Sequence, residues 1–270
     1  MSRQAPTKKV TNVELLAMKA RGEKIVSLTA YDASFAHIQD EAGVDAVLVG
    51  DSLGMVVQGK NSTIPVTVDE MAYHAKIVSR GLKRALLIVD MPFMSYSDPQ
   101  LTAKNAAILM QKGNAEMVKL EGGKEVLSSV ERLVELGIPV CGHLGLLPQS
   151  VNQLGGYRVQ GREQKEAKRI LNDAKCLEKA GASAIVVECI PASLAKNISG
   201  SVNIPIIGIG AGVDCDGQVL VSYDMLDITV GKRPKFSKNF MTETKSISQA
   251  ISAYVKAVKD KTFPSDEHTF

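Results

Sequence analysis

The stretch KIVSLTAYDASFAHIQDEAGVDAVLVGD (24–51) sets the pattern of the whole chain. It opens on an apolar, β-branched run, KIVSLTAYD (24–32). It continues through SFAHIQDEAG (34–43), where apolar residues fall at three- and four-residue steps, and reaches a second run, DAVLVGD (45–51). Continuous apolar character, rather than strict alternation, marks strands buried on both faces, as in a parallel sheet. The three- and four-residue spacing marks a helix between them. Gly43, just ahead of the second run, is the expected left-handed stop of that helix.

The same period recurs outward from this unit. Further strand-like runs are ALLIVDMP (85–92), EMVKLEG (116–122), IPVCGHLG (138–145), SAIVVECI (183–190), IPIIGIGAG (204–212) and QVLVSYDML (218–226). Helical spacing fills MAYHAKIVSRGL (71–82), LTAKNAAILMQKG (101–113), EVLSSVERLVELG (125–137) and KEAKRILNDAKCLEKAG (165–181), with Gly113, Gly137 and Gly181 as further stops. Eight strands alternating with helices predict a (β/α)8 TIM barrel, one domain over residues 1–270. A doubly wound open sheet is the rival, less favoured because eight parallel strands close more naturally than they stay open. VTNVELLAMKARGE (10–23) reads as an extra N-terminal helix plugging the bottom of the barrel. Residues 240–258 read as a last, C-terminal helix, and PSDEHTF (264–270) as a frayed tail.

Composition narrows the class. The chain has 270 residues, is 45% hydrophobic and 23% charged, and carries a net charge of +3 without a dense basic run. That excludes a dedicated nucleic-acid binder, which shows a clustered basic face. The absence of an 18-residue apolar run excludes a membrane-spanning helix. MSRQAPTKKVT (1–11) is basic but has no apolar core, so no secretory signal is expected. Cys141, Cys176, Cys189 and Cys215 form neither a CxxC pair nor a zinc spacing, which suits a reducing cytoplasm. GxxxxGK[ST] does not occur, so a P-loop nucleotide site is not expected.

In a barrel the reactive groups stand at the C-terminal ends of strands. Those ends carry Asp32, Asp51, Asp90, Lys119 with Glu121, His143 and Glu188. Acids are 29 of 270 residues, so eight ends would carry about one by chance, and two or three with a residue of freedom; five are present. Parity places Lys119 and Glu121 on one face of their strand and Val118 and Leu120 on the other. Buried charges are costly unless paired, hydrogen-bonded or holding a metal. A structural ion pair for Lys119 and Glu121, and helix capping for Asp51 and Asp90, are the plain alternatives. Taken together, Asp51, Asp90 and Glu121 favour a shared hard cation, Mg²⁺ or Mn²⁺, because carboxylates without cysteine and with at most one histidine do not select zinc. Such an ion would chelate a 2-oxo acid and make the neighbouring C–H acidic, with Glu188 or His143 as base. His37 and His74 fall inside expected helices and His268 in the tail, where structural roles are favoured. GIGAG (208–212) admits two readings, close backbone approach to a ligand or a tight strand-to-loop turn.

GDSLG (50–54) with MVVQGKNSTIPVT (55–67), LIVDMPFMSY (87–96), VKLEGG (118–123), GHLGLLPQ (142–149), VVECIP (186–191) and IGIGAG (207–212) resemble, in that order, the ketopantoate hydroxymethyltransferase family. The likeness runs from about residue 10 to about 260. It implies a Mg²⁺-dependent barrel, with Mn²⁺ or Co²⁺ as substitutes, that moves a one-carbon unit from 5,10-methylenetetrahydrofolate to 3-methyl-2-oxobutanoate, giving 2-dehydropantoate on the route to pantothenate and coenzyme A. It implies Asp51, Asp90 and Glu121 as metal ligands, the last held more loosely. Asp51, Ser52, Asp90 and Lys119 become keto-acid contacts, Glu188 the proton acceptor and His143 its neighbour. An enolate attacking the methylene iminium form of the folate follows from these roles. The resemblance also implies a cytoplasmic homo-oligomer, typically a decamer, acting on small molecules without nucleic acid or membrane. Folate contacts are expected in the loops after strands two, five and seven. Two rivals are a Mg²⁺/enolate barrel of the phosphoenolpyruvate mutase and isocitrate lyase type, and an inactive barrel serving as a metabolite-binding scaffold.

Overall fold

The structure, a computed structural model, describes residues 8–270; most of the basic N-terminal stretch read above for a signal lies outside them. Among the described residues eight strands pair in chain order, all parallel, and the last closes on the first. They are β1 (Ile25–Thr29), β2 (Ala46–Val49), β3 (Leu86–Asp90), β4 (Met117–Glu121), β5 (Val140–Gly145), β6 (Ala184–Glu188), β7 (Ile206–Ile209) and β8 (Gly217–Leu220). The α-helices are α1 (Asn12–Ala20), α2 (Ala33–Ala42), α3 (Leu53–Val56), α4 (Val68–Ser79), α5 (Pro99–Gly113) and α6 (Leu127–Glu135), then α7 (Val151–Leu154), α8 (Gln164–Lys179), α9 (Ala192–Ser201), α10 (Ser222–Met225) and α11 (Ile247–Lys259). The expected TIM barrel is present, and no helix is long and apolar enough to cross a membrane among the described residues.

Register explains why the strand runs are apolar throughout. Each strand residue points alternately to the barrel axis or to the helical layer, and both are dry: β1 to β4 are buried at every position. Leu15 of α1 is 1% exposed and lines the same small interior gap as Ile25, Ala46, Cys141, Ala184 and Ile207. The N-terminal helix therefore does plug the bottom of the barrel, and burying each such side chain contributes about 1.5–3 kcal/mol. Its start is fixed by Thr11, whose hydroxyl accepts from Glu14 N at 3.3 Å. All four cysteines are free.

Four expectations are corrected. Gly113 is not a helix stop: it is the last residue of α5, and Asn114 takes the left-handed conformation at φ 59°. Gly113 packs against α4 instead, where an added Cβ would lie 3.0 Å from Ala75 Cβ and 3.3 Å from Ala72 Cα. Gly43, Gly137 and Gly181 are left-handed as read (φ 90°, 76° and 95°). Second, no helix separates β7 from β8; residues 210–216 make the return alone. The glycines of GIGAG permit that short path: Gly208 leaves room for Cys215, and Gly210 and Gly212 are closed over by Phe236 and Ala192. The tight-turn reading of this segment holds. Third, the last strand-like run, 218–226, is mostly not strand, since β8 ends at Leu220 and α10 follows. Fourth, PSDEHTF is not frayed. Asp266–His268 form a 3₁₀ turn, His268 is buried with Nδ1 2.7 Å from Ser265 Oγ, and Ala192 N donates to Phe270 O at 3.1 Å.

Candidate active site

The C-terminal ends of the strands open into a cavity of about 540 Å³ that admits Asp51, Ser52, Asp90, Lys119, Glu121, His143 and Glu188 to its lining. Every residue given a metal, substrate or proton-transfer role from sequence thus reaches one space. Asp32 does not: its Oδ1 accepts from Ser34 N and Phe35 N at the start of α2, so it is a helix cap. Asp51 and Asp90 are not caps.

Asp90 ends β3 beside Lys119 of β4, with which it is in register, and Lys119 Nζ stands 2.7 Å from Asp90 Oδ1. The other oxygen, Asp90 Oδ2, accepts from the backbone N–H of Asp51 at 3.1 Å, so β2 and β3 deliver both aspartates to one point. Glu121, two residues beyond Lys119, faces the same side as parity predicts, while Val118 and Leu120 enter the core. Glu121 pairs in register with His143 of β5, and Glu121 Oε1 lies 3.4 Å from His143 Nδ1. On the far side of the ring His143 Nε2 approaches Glu188 Oε2 to 3.2 Å. Glu188 ends β6, and the chain turns sharply behind it through Cys189, a non-glycine residue at φ 47°. Such a conformation costs on the order of 1 kcal/mol and recurs at functional sites.

Three residues without a role in the sequence reading, Gln149, Tyr96 and Tyr31, complete the arrangement. Gln149, in the loop after β5, donates from Nε2 to Asp51 Oδ2 (2.8 Å) and to Met91 O (3.0 Å), while its backbone N–H donates to Glu121 Oε2 (3.1 Å). Tyr96 OH donates to Gln149 Oε1. Ser52 Oγ lies 2.8 Å from Tyr31 OH. Gln149 was in plain sight within GHLGLLPQ, but a neutral side chain in a loop carries no periodic signal. Only the path of the loop back over the barrel axis reveals it.

Charge is unbalanced here. Asp51, Asp90, Glu121, Lys119 and His143 are each 3–5% exposed, and Lys119 is the ammonium that faces the three carboxylates. Burial, then the charges of Asp90 and Glu121, push Asp51 up to about 8. Burial likewise lifts Glu121 to about 8, against the opposing pull of Lys119. Burial draws the Lys119 ammonium down, yet Asp90, Glu121 and Asp51 together hold it above the ordinary lysine value. Burial and the Lys119 charge lower His143, so its ring is neutral near pH 7. The site is short of positive charge, and its donors are hard oxygens. Those two features fit a divalent cation of the Mg²⁺ kind. Among the described residues no three His, Cys, Asp or Glu side chains are grouped closely enough to hold an ion together. A cation there would accordingly take one or two carboxylates directly and complete its shell with water and substrate, as Mg²⁺ does.

Farther out, the lining comes from the loops after β2 (Met55, Val56), β5 (Tyr157, Arg158) and β8 (Thr229, Lys232, Phe236), and from Phe270. The segment after β7 adds nothing beyond Ile209.

Comparison with known proteins bears on this geometry. The family profile described as ketopantoate hydroxymethyltransferase matches residues 9–266. The 3-methyl-2-oxobutanoate hydroxymethyltransferase of Shewanella frigidimarina (strain NCIMB 400) is 60% identical over 262 residues, covering 97% of this chain and 99% of the relative. That of Alteromonas mediterranea (strain DSM 17117 / CIP 110805 / LMG 28347 / Deep ecotype) is 55% identical over 263 residues, with the same coverage. Similar solved structures include a phosphoenolpyruvate phosphomutase from Streptomyces platensis subsp. rosaceus, with TM-score 0.60, 12% identity, and coverage of 80% of this chain and 83% of that one. A phosphonopyruvate hydrolase in complex with oxalate and Mg²⁺ gives TM-score 0.61 at 11% identity, with coverage of 78% and 80%. At such identities these two share the fold alone. The near-complete match in sequence decides the matter: this chain is an enzyme of the ketopantoate hydroxymethyltransferase family.

Proposed function

We propose that the enzyme transfers the one-carbon unit of 5,10-methylenetetrahydrofolate to 3-methyl-2-oxobutanoate, giving 2-dehydropantoate and tetrahydrofolate on the way to pantothenate. The observation that carries the reading is the convergence of Asp51, Asp90, Glu121 and Lys119 at the closed end of the cavity, with the His143–Glu188 pair beside them. Relatives 55–60% identical over nearly the full chain, named for this transfer, support it.

Asp51 and Asp90 would hold Mg²⁺, or Mn²⁺ or Co²⁺ in its place, with Glu121 acting through water. When bound, such an ion would grip the carboxylate and ketone oxygens of a 2-oxo acid and draw electron density from the ketone. The complex of a fold relative with oxalate and Mg²⁺ is consistent with two-point binding of this kind. Lys119 offsets the negative charge of the substrate and of the enolate, and Ser52 bonds the anionic end. Glu188 takes the C3 proton, and His143, 3.2 Å away, holds that carboxylate and passes the proton on. Overall, one C3–H bond and two methylene C–N bonds break, while a C3–C bond and a C–O bond form. A water supplies the new hydroxyl, and its second hydrogen and the C3 proton end on the two amine nitrogens of tetrahydrofolate. Holding both substrates in one cavity converts their encounter into an aligned one.

The test is consumption of 3-methyl-2-oxobutanoate with Mg²⁺ present, with and without 5,10-methylenetetrahydrofolate. Loss of the keto acid, with 2-dehydropantoate appearing only when the folate is supplied, is the expected result. Consumption without folate would shift the assignment to a lyase or mutase of the phosphoenolpyruvate mutase type, and no consumption in either mixture would overturn it.

A further inference from the structure

Ser52 meets the cavity through a hydroxyl that is held from behind. Tyr31, two residues past the end of β1, is 2% exposed and is not itself a lining residue. Its hydroxyl lies 2.8 Å from Ser52 Oγ, and Ser52 does line the space. Tyr31 is pinned on several sides. Ala30 N, one residue earlier, donates to Leu48 O at 3.0 Å, and Tyr31 O lies 2.8 Å from His74 Nδ1 of α4. A carbonyl only accepts, so His74 carries its proton on Nδ1 and donates this bond. The Tyr31 ring meets that of Tyr223 edge-on, with centroids 5.6 Å apart.

Two hydroxyls in contact leave the direction of the bond open, and the surroundings decide it. Burial pushes the Tyr31 hydroxyl above the ordinary tyrosine value, against the pull of Ser52, so it keeps its proton. The nearby hydroxyl of Thr29 is engaged with Ser222: its Oγ1 accepts from Ser222 N at 3.0 Å and lies 3.3 Å from Ser222 Oγ. Gly50 shows where Ser52 Oγ sits. A Cβ added at Gly50 would lie 2.8 Å from Ser52 Oγ and 3.5 Å from Asp90 Oδ2. The hydroxyl therefore fills the space a side chain would take, beside the carboxylates of the closed end. A serine hydroxyl has one proton, and the carboxylate of a 2-oxo acid only accepts.

We infer, on the footing of the proposed contact between Ser52 and the keto acid, that Tyr31 is a positioning residue: its O–H donates to Ser52 Oγ, which leaves the Ser52 O–H as a fixed donor to the carboxylate of the 2-oxo acid. With the Tyr31 bond in place, Ser52 has no call to spend its proton on the protein. Without it, the Ser52 hydroxyl turns freely and its donor is no longer aimed. Tyr31 touches neither substrate nor metal and acts through Ser52 alone. It also gives β1 a share in the site, since Asp32, the acid at that strand end, is a helix cap.

The test is calorimetric binding of 3-methyl-2-oxobutanoate to the full chain, with Mg²⁺ present and no folate, for wild type, Tyr31→Phe, Ser52→Ala and the double variant. Tyr31→Phe removes one oxygen and keeps the ring against Tyr223. The Kd is expected to rise about fivefold in Tyr31→Phe and about tenfold in Ser52→Ala. In the Ser52→Ala background, Tyr31→Phe is expected to add less than about twofold, because the hydroxyl it acts through is gone. In turnover, the KM for the keto acid should rise in step with the Kd while kcat stays within about twofold, and thermal melts should be unchanged. Binding by Tyr31→Phe within twofold of wild type would overturn the inference. So would losses that multiply in full in the double variant, or a lowered melt accompanying them, either of which makes Tyr31 a residue of the fold. Failure of the wild type to bind the keto acid at all would instead overturn the keto-acid reading of the site.

Discussion

Gln149 ties together more of the site than any charged residue does. Through one side chain and one backbone N–H it fixes an oxygen of Asp51, an oxygen of Glu121 and the carbonyl of Met91, and it is itself oriented by Tyr96. Groups that aim ligands in this way are worth about 10–100-fold in metal affinity or activity. Gln149→Leu is accordingly expected to lower kcat and Mg²⁺ affinity by that factor while far-UV circular dichroism stays unchanged; activity within threefold of wild type would remove Gln149 from the account. Glu188 admits an equally specific check. Glu188→Gln should slow exchange of the C3 proton of 3-methyl-2-oxobutanoate in heavy water at least a hundredfold, read by proton NMR, and unchanged exchange would pass the role of base to His143 or water. Most of these side chains were legible beforehand: strand-end position and parity alone located Asp51, Asp90, Lys119, Glu121, His143 and Glu188. Gln149 and Tyr96 were not, because neutral residues in loops are recruited by tertiary proximity, which leaves no mark in composition or period.

Among the elements, the pairing of α4 with α5 shows where local and tertiary demands part. Read locally, a glycine ahead of the next strand signals a helix end, and at positions 43, 137 and 181 it does. At 113 the signal is a close helix contact, since Ala72 and Ala75 lie where its side chain would be. Gly113→Ala should therefore destabilise the chain by about 1–3 kcal/mol by overpacking, although alanine is the better helix former by about 1 kcal/mol. Denaturant unfolding checks the sign, and a stabilised variant would show that the contact with α4 yields to helix propensity. The connection from β7 to β8 carries the same lesson. Seven residues replace an expected helix because Gly208, Gly210 and Gly212 let the chain double back under Cys215, Phe236 and Ala192. A short apolar run with several glycines does not itself distinguish that return from a ligand loop.

At the scale of the molecule, the barrel converts distance along the chain into proximity: residues 51, 90, 119, 121, 143 and 188 meet because closure of eight parallel strands brings their ends to one rim, and the loop after β5 adds Gln149. The repeat of apolar runs predicted parallel strands alternating with helices, and their number, eight, favoured closure over an open sheet. The C-terminal segment escaped the same reasoning. Its anchorage depends on Phe263 packing against Phe240, Tyr254 and His268, and on Thr269 and Phe270 meeting Lys235 and Ala192, a docking event that short polar sequence does not announce. The central claim is that Asp51 and Asp90 share one cation with a 2-oxo acid. A crystal soaked with Mn²⁺ and 3-methyl-2-oxobutanoate, and mapped by anomalous scattering, measures it directly. The account predicts a single strong peak within about 2.0–2.4 Å of carboxylate oxygens of both aspartates and of two oxygens of the keto acid. Keto acid bound in the cavity with no peak between those side chains, or with the ion on other residues, would contradict it.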